Sequence, residues 1–320
     1  MIKANFIKSS LIINPFEDRV ITHAFHDIDG THSLIRDWPP VMSIVLHDVI
    51  ENGLNEGYDS KENITRLINA AGTKVLEETD RFCVESAGLS ALTQMEWAIR
   101  RAVEEKTVIV NHKEKTNKEI IALIWQGIEV FDDFSETKEM KQMLINNTPR
   151  LFKFYEQVLN GFCRDKNLEL AKIKPEDFRI EGSFKFLQYL KDNKVKNYFV
   201  TGAVVEKGMG MFEEVETLGY SIGRGKLIED IIGSTWTDKV PKNVIMNDLV
   251  KKLSIDPRAV LVVGDGRAEI SAGVEMDAIT MSRLSSSMTY QQKLHKELGS
   301  NILVEDFLDE QIYHIFQALV

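Results

Sequence analysis

Two acidic motifs of this chain come directly after apolar segments. The motif DIDGT, which contains Asp27 and Asp29, follows the apolar run at residues 20–25, and GDG, which contains Asp265, ends the segment AVLVVGDG. A single Asp-Gly pair normally marks only a turn. Here two such pairs place three carboxylates where strands are expected to end. Carboxylates that lie together repel one another unless a cation joins them, and Mg²⁺ suits oxygen ligands of this kind.

Hydroxyl, amide and lysine groups occur at other predicted element ends. Thr201 and Gly202 end the apolar segment NYFVTG, and Lys239 and Lys242 flank the start of a helical pattern. Such groups hold an anion. Carboxylates joined by a cation and facing anion-binding donors supply what phosphoryl transfer requires, because that reaction depends mainly on in-line positioning and charge neutralisation. An aspartate can also act as the nucleophile and form an aspartyl-phosphate.

Strands and helices alternate from residue 180 onward. The predicted strands are NYFVTG, IIGST, AVLVVG, AITMS and NILV, and helical patterns such as VEKGMGMFEEVETLG and PKNVIMNDLVKKL lie between them. This alternation predicts right-handed crossovers and a parallel sheet with helices on both faces. The apolar run at residues 20–25 is expected to add one more strand. We therefore predict an α/β fold with a Rossmann-like, doubly wound parallel sheet, in which ligands bind beyond the carboxyl ends of the strands.

The middle of the chain, from about residue 38 to residue 177, has helical spacing instead. Ser60 is expected to cap one of its helices, and Thr148 with Pro149 to begin another. We predict an all-α domain of five or six helices at residues 35–177, inserted between the first and second strands of a core domain formed by residues 1–34 and 178–320. Its hinges are expected near residues 33–36 and 176–182.

Composition excludes several classes of protein. The chain has 320 residues, of which 43% are hydrophobic and 28% charged, as in a globular protein of about two domains. We find no apolar run long enough to span a bilayer and no signal peptide. The net charge of −10 argues against nucleic-acid or anionic-membrane partners. Two cysteines, Cys83 and Cys163, fit a reducing compartment. We expect a cytoplasmic protein with a small-molecule partner, whose oligomeric state stays open.

Taken in order, these motifs resemble the four motifs of the haloacid dehalogenase (HAD) superfamily. The resemblance covers about residues 18–34 and 180–320, and the middle helical region has no specific match. It implies that Asp27 is the nucleophile and a Mg²⁺ ligand. Asp29 is implied to be the general acid that protonates the leaving oxygen and then the base that activates water, and its backbone carbonyl is a further metal ligand.

The resemblance extends to the other motif residues. It implies that Thr201 and Gly202 bind the transferring phosphoryl group and that Asp265 holds the metal. Glu269 stands where the family more often has Asp and could bind the metal or one of its waters. The motif lysine, which would bind phosphate, is either Lys239 or Lys242, with Lys242 slightly favoured by its place at a helix start. These assignments are expectations carried over from the family.

The resemblance further implies that the helical insertion is a cap that closes over the site and selects the substrate. The resulting hypothesis is a Mg²⁺-dependent phosphatase that hydrolyses a small phosphorylated metabolite through an aspartyl-phosphate. Asp29 argues against the dehalogenase branch, which has no leaving oxygen to protonate. A phosphomutase with the same core and a non-catalytic HAD-like binding module remain alternatives.

Strand alternation points the side chain of His26 away from that of Asp27, so we expect His26 to pack against a flanking helix.

Overall fold

The computed structural model describes residues 1–33, 38–236 and 239–319. The chain forms two compact units: the first comprises Met1–Leu34, Leu170–Ser234 and Lys242–Val320, and the second Ile35–Glu169 and Thr235–Pro241. Most of the hinge predicted at residues 33–36 lies outside the described residues. The functional division into a core at 1–34 and 178–320 and a cap at 35–177 stays a prediction.

The first unit is built on a mainly parallel sheet. Its parallel strands lie in the order β6, β4, β3, β7, β8, β9, and β5 pairs antiparallel with the end of β4. A small antiparallel sheet holds β10, β1 and β2 in that order. The strands are β1 (Ile2–Ala4), β2 (Arg19–Ile21), β3 (His23–His26), β4 (Lys196–Glu206), β5 (Met209–Gly210), β6 (Asp230–Ser234), β7 (Val260–Gly264), β8 (Ile279–Arg283), β9 (Ile302–Val304) and β10 (Phe316–Ala318).

The helices divide between the two units. The second unit holds α1 to α6, and α7 continues from them through a π-helical segment at Asn160–Arg164. The remaining helices belong to the first unit. They are α1 (Pro39–Asn52), α2 (Lys61–Ala70), α3 (Glu77–Glu85), α4 (Ala91–Glu104), α5 (Glu114–Trp125), α6 (Lys138–Leu159), α7 (Asp165–Ile173), α8 (Ser183–Asp192), α9 (Met211–Thr217), α10 (Lys242–Leu253), α11 (Arg267–Glu275), α12 (Thr289–Leu298) and α13 (Gln311–Ile315).

Apolar residues cover both faces of the parallel sheet. Leu261 and Val263 of β7 belong to a core that includes Phe186 of α8, whereas Phe199 of β4 belongs to a separate core with Val215 of α9. A strand buried on both faces reads as a continuous apolar run, which is why AVLVVG was recognisable. The structure confirms the predicted α/β, Rossmann-like class with a parallel sheet flanked by helices.

Two predicted elements of the first unit differ from the observed ones. The apolar run at residues 20–25 is divided at Thr22, so that β2 joins the small sheet and β3 the parallel one. The segment VEKGMGMFEEVETLG, predicted to be helical, begins as a hairpin: Val205 pairs with Gly210, and α9 starts only at Met211. Gly208 and Gly210 have positive φ, which suits a turn and opposes a helix.

In the second unit, one predicted helix start is confirmed and another is wrong. Ser60 Oγ accepts a hydrogen bond from Asn63 N at 3.2 Å and caps α2 as expected. Pro149, however, lies inside α6, whose cap is the hydroxyl of Thr137. Thr-Pro suits a first turn, but the apolar spacing begins a few turns earlier and extends the helix. Cys83 and Cys163 are both buried. Among the described residues, no helix is long and apolar enough to cross a membrane.

Helix α11 closely approaches the sheet at Gly273. A Cβ added to Gly273 would lie 2.6 Å from Thr280 Cγ2 and 3.0 Å from Val262 Cβ. Alanine normally favours a helix over glycine by about 1 kcal/mol, but overpacking costs about 1–3 kcal/mol. We therefore expect Gly273→Ala to lower the midpoint of urea unfolding followed by circular dichroism. Ser271→Ala on the same helix is the control and should not lower it; a raised midpoint in Gly273→Ala would contradict the close approach.

Candidate functional site

The parallel sheet brings the two acidic motifs together. β3 and β7 are neighbours, with His26 opposite Val263, and Asp27 N continues the ladder by donating to Val263 O at 2.8 Å. Asp265 comes two residues after Val263, at the same edge of the sheet. Asp27, Asp265 and Glu269 each offer a carboxylate oxygen, and these oxygens all lie within 4.8 Å of one another. Three predicted metal-site residues are therefore adjacent.

The turn after β3 is shaped to approach Asp265 closely. Gly30 has a φ of 75°, and a Cβ at this position would lie 2.0 Å from Asp265 Oδ2, so only glycine fits. Thr31 Oγ1 donates to Asp265 Oδ1 at 3.1 Å. In the DIDGT motif, the glycine thus leaves room for the carboxylate of Asp265, and the threonine orients that carboxylate through a hydrogen bond.

Lys242 places its ammonium between two of the acids. Its Nζ donates to Asp27 Oδ1 at 2.6 Å and to Glu269 Oε2 at 2.9 Å, and the residue is buried at the first position of α10. Burial alone would lower the pKa of this amine, but the charges of Asp27 and Glu269 and their hydrogen bonds raise it above its usual value. Lys242 is therefore a fixed positive charge at the site.

Burial and mutual repulsion act on the other two carboxyls. Burial raises the pKa of Glu269 to about 7, with Lys242 opposing the shift and Asp27 adding to it. Burial, followed by the charges of Asp27 and Glu269, raises the pKa of Asp265 well above its usual value. With all three acids ionised, one ammonium leaves a net charge of −2 in the cluster. A divalent cation matches this charge and prefers these oxygen donors, so the residues present fit Mg²⁺.

Asp29 lies in the same turn but outside the group of three. Its Oδ1 accepts a hydrogen bond from Ser33 Oγ at 2.9 Å, and its side chain is half-buried. The predicted roles of Asp29, as acid and base and through its carbonyl as a metal ligand, stay predictions.

Thr201 and Gly202 do not end their strand, contrary to expectation. β4 continues to Glu206, and its pairing with β6 shifts between Val200 and Val204, so that β4 holds two more residues than β6 over this span. Thr201 Oγ1 accepts from Ala203 N at 3.1 Å within this bulge. Bulges redirect side chains next to active sites. The predicted phosphate-binding residues thus lie in an irregular part of a strand that neighbours β3.

Of the two candidate lysines, Lys242 belongs to the first unit and contacts its acidic cluster. Lys239 belongs to the second unit, where its Nζ donates to Glu96 Oε2 at 2.9 Å and lies 5.1 Å from the centre of the Phe131 ring. The two lysines are only three residues apart, but Lys242 begins α10 whereas Lys239 precedes it. The assignment of Lys239 as a phosphate-binding alternative stays a prediction.

Sequence reasoning missed Arg283. It ends β8, donates from Nη1 to Gly30 O at 3.0 Å and from Nε to Glu305 O at 2.9 Å, and so holds the turn that approaches Asp265. Burial lowers the pKa of Arg283, while Asp265 opposes that shift. A basic residue at the end of a predicted strand was the only signal available, and such residues are common on surfaces.

A buried polar network supports the turn from behind. His26 Nε2 meets Asn197 Oδ1 at 3.2 Å, His32 Nε2 meets His26 Nδ1 at 3.0 Å, and Ser183 Oγ lies 2.7 Å from His32 Nδ1 and 2.8 Å from the Tyr220 hydroxyl. The amide of Asn197 donates to two backbone carbonyls, so its Oδ1 accepts. Hence His26 donates to Asn197, His32 to His26, and Ser183 to His32.

Both imidazoles in this network are neutral. Burial lowers the pKa of His26 to about 3 and that of His32 well below its usual value. The sequence pattern predicted that His26 packs against a flanking helix, which stays a prediction. Its hydrogen-bond partners are Asn197 on the neighbouring strand and His32 in the turn.

No protein-family model matches the chain, and no curated protein matches it. Solved structures do. A predicted phosphoglycolate phosphatase from Haemophilus somnus is 15% identical, with 92% of this chain and 98% of that chain covered and a TM-score of 0.47. A β-phosphoglucomutase from Clostridium difficile is 14% identical, with 92% and 96% covered and a TM-score of 0.47. A HAD family hydrolase from Deinococcus radiodurans, with bound phosphate and sodium, is 12% identical, with 92% and 96% covered and a TM-score of 0.44.

The basis for proposing an activity is the geometry of the site itself.

Removing the buried ammonium tests the charge balance of the cluster. Lys242→Met would leave Asp27 and Glu269 without their cation, and an uncompensated buried charge costs about 3–5 kcal/mol. We expect a correspondingly lower midpoint of urea unfolding in buffer without divalent ions. Lys251→Met, on the same helix with a side chain that is 78% exposed, is the matched control and should change the midpoint little. Equal small effects in both variants would show that the ammonium does not stabilise the cluster.

Proposed function

We propose that this protein is a HAD-type, Mg²⁺-dependent phosphatase that hydrolyses a small phosphorylated metabolite through an aspartyl-phosphate. The observation that carries the proposal is the position of Asp27, whose carboxylate is bound by Lys242 and lies beside Asp265 and Glu269. An isolated surface acid is not held in this way. This one combines a buried cation, neighbouring metal-type oxygens and a place at the carboxyl end of a parallel strand, where ligands bind.

The first step uses Asp27 as the nucleophile. Lys242 binds Oδ1, and in this proposal the other oxygen of Asp27 forms the bond to phosphorus as the bond to the leaving oxygen breaks. Asp29 gives that oxygen its proton and then takes a proton from the water that hydrolyses the aspartyl-phosphate. Asp27, Asp265 and the carbonyl of Asp29 would hold Mg²⁺, with Glu269 in contact or acting through a water. When bound, the ion neutralises phosphoryl charge.

The remaining groups would bind the transferring phosphoryl oxygens. Lys242 contributes charge, and Thr201 with Gly202 contributes polar groups from the bulge of β4. In this proposal the helical unit is the cap that selects the substrate and excludes water, which favours a small metabolite over a phosphoprotein. A cytoplasmic location, with no nucleic-acid or membrane partner, completes the proposal and fits the net charge of −10.

Phosphate release tests the proposal directly. We expect the wild type to release phosphate from at least one member of a panel of small phosphate esters when Mg²⁺ is present and to lose that activity when Mg²⁺ is chelated. Asp27→Asn keeps the size of the side chain but removes the nucleophile, so it should lower the rate by at least roughly a thousandfold. Asp248→Asn, on exposed α10 surface, is the control and should retain the wild-type rate.

The products separate the alternatives. Phosphorus NMR would detect free phosphate from a phosphatase and an isomeric phosphate ester from a phosphomutase. If the folded protein turns over no ester of the panel while Mg²⁺ binds in calorimetry, the phosphatase proposal is wrong and a non-catalytic binding module remains.

A further inference from the structure

Ser33 makes a contact with the acidic turn for which the motifs assign no role. Its Oγ donates to Asp29 Oδ1 at 2.9 Å and also lies 3.4 Å from Glu214 Oε1. A hydroxyl has one proton to donate, and the shorter contact is the one to Asp29. Ser33 itself has no exposed surface, and Glu214 is 3% exposed, so the contact is shielded from bulk water on the serine side.

The backbone of Ser33 is held on several sides, which makes the position of its hydroxyl reproducible. Ser33 N donates to Ile28 O at 2.9 Å, and Gly30 N donates to Ser33 O at 3.0 Å. The backbone of Ser33 also forms isolated β-bridges, outside the named strands, with the backbones of Asp29 and Arg179. The preceding residue, His32, is anchored by the neutral polar network. A group that orients an acid must itself be fixed, and Ser33 meets this condition.

We propose that Ser33 is a positioning residue that orients Asp29 for proton transfer and selects Oδ2 as the oxygen that carries the proton. The inference rests on the proposed phosphatase function. Because Ser33 donates to Oδ1, that oxygen is an acceptor in both protonation states, and the proton of the neutral acid belongs on Oδ2. Ser33 touches neither the phosphoryl group nor the leaving oxygen in this scheme.

An oxygen of Asp27 forms its bond to phosphorus while the bond from phosphorus to the leaving oxygen breaks. The leaving oxygen keeps that electron pair and takes the proton from Asp29 Oδ2, so that an alcohol departs and Asp29 becomes a carboxylate. Ser33 keeps its proton throughout and strengthens its hydrogen bond as charge develops on Asp29, because bonds to ionised acceptors are the stronger ones.

The acidity of the leaving alcohol provides the test. Phenyl phosphate and p-nitrophenyl phosphate have nearly the same shape, but p-nitrophenol is the stronger acid and departs with little need of a proton. We expect Ser33→Ala to lower kcat/KM for phenyl phosphate roughly tenfold more than for p-nitrophenyl phosphate, a fraction of the usual contribution of a general acid. The ratio kcat/KM reports the step in which the alcohol leaves.

Ser183→Ala is the matched control. Ser183 is also a serine without exposed surface, and its hydroxyl supports the same turn through His32, but it does not contact Asp29. Its loss should change kcat/KM for both esters by the same factor. Ser33→Cys keeps a similar volume and a weaker donor, so it should fall between wild type and Ser33→Ala, and it replaces that variant if alanine prevents folding.

The outcomes distinguish the two proposals. Equal losses on both esters in Ser33→Ala and Ser33→Cys would overturn the positioning role while leaving the phosphatase function intact. Phosphate release from no ester of any kind by the wild type would overturn the proposed function, and the role of Ser33 would fall with it.

Discussion

The ion pairs of Lys242 are the interaction on which the site depends. Three acids meet at one edge of the sheet, and their mutual repulsion in a partly buried place would open the turn if nothing opposed it. The ammonium of Lys242 opposes it from the start of α10, bound to Asp27 and Glu269 at once. Burying such charges is costly unless each one is paired, so Lys242, Asp27 and Glu269 depend on one another.

The support behind the turn is built without charge. His26 and His32 adjoin the acidic residues in the chain, yet burial lowers the pKa of both, so that they remain neutral at ordinary pH. A protonated imidazole beside Asp27 would compete with a metal ion for the carboxylates. In the network, each neutral imidazole instead accepts one hydrogen bond and donates another. The donors therefore run in one direction, from Ser183 through His32 and His26 to Asn197. Neutral residues of this network therefore make the turn rigid, whereas charged residues, Lys242 and the three acids, set the electrostatics of the site.

Sequence patterns predicted the sheet well because its strands are buried on both faces and read as apolar runs. The patterns did not predict the bulge of β4 at residues 201–203 or the hairpin that follows it. The bulge depends on pairing with β6 and the hairpin on pairing with β5, and no local pattern encodes either pairing. The contacts of Lys242 with Asp27 and Glu269 could not be predicted from spacing alone, because the sequence offered two lysines at similar distances from the fourth motif. The contact of Ser33 with Asp29 could not be predicted from the sequence for a simpler reason. Serine is common in turns, and only this hydrogen bond distinguishes Ser33 from other turn serines.

The one departure from the family pattern at the fourth motif has a local physical reason. Glu269 uses both carboxylate oxygens: Oε1 accepts from Gly266 N at 2.5 Å at the start of α11, and Oε2 accepts from Lys242. Its longer side chain folds back over the preceding turn, where a Cβ on Gly264 would lie 2.2 Å from Glu269 Cγ. Gly264 is therefore required by Glu269, and a shorter aspartate would have to reach the same two donors with one carbon fewer. Glutamate at this position closes the turn that presents Asp265 and binds Lys242 with the same carboxylate, so it shapes the site in addition to adding a carboxylate to the cluster.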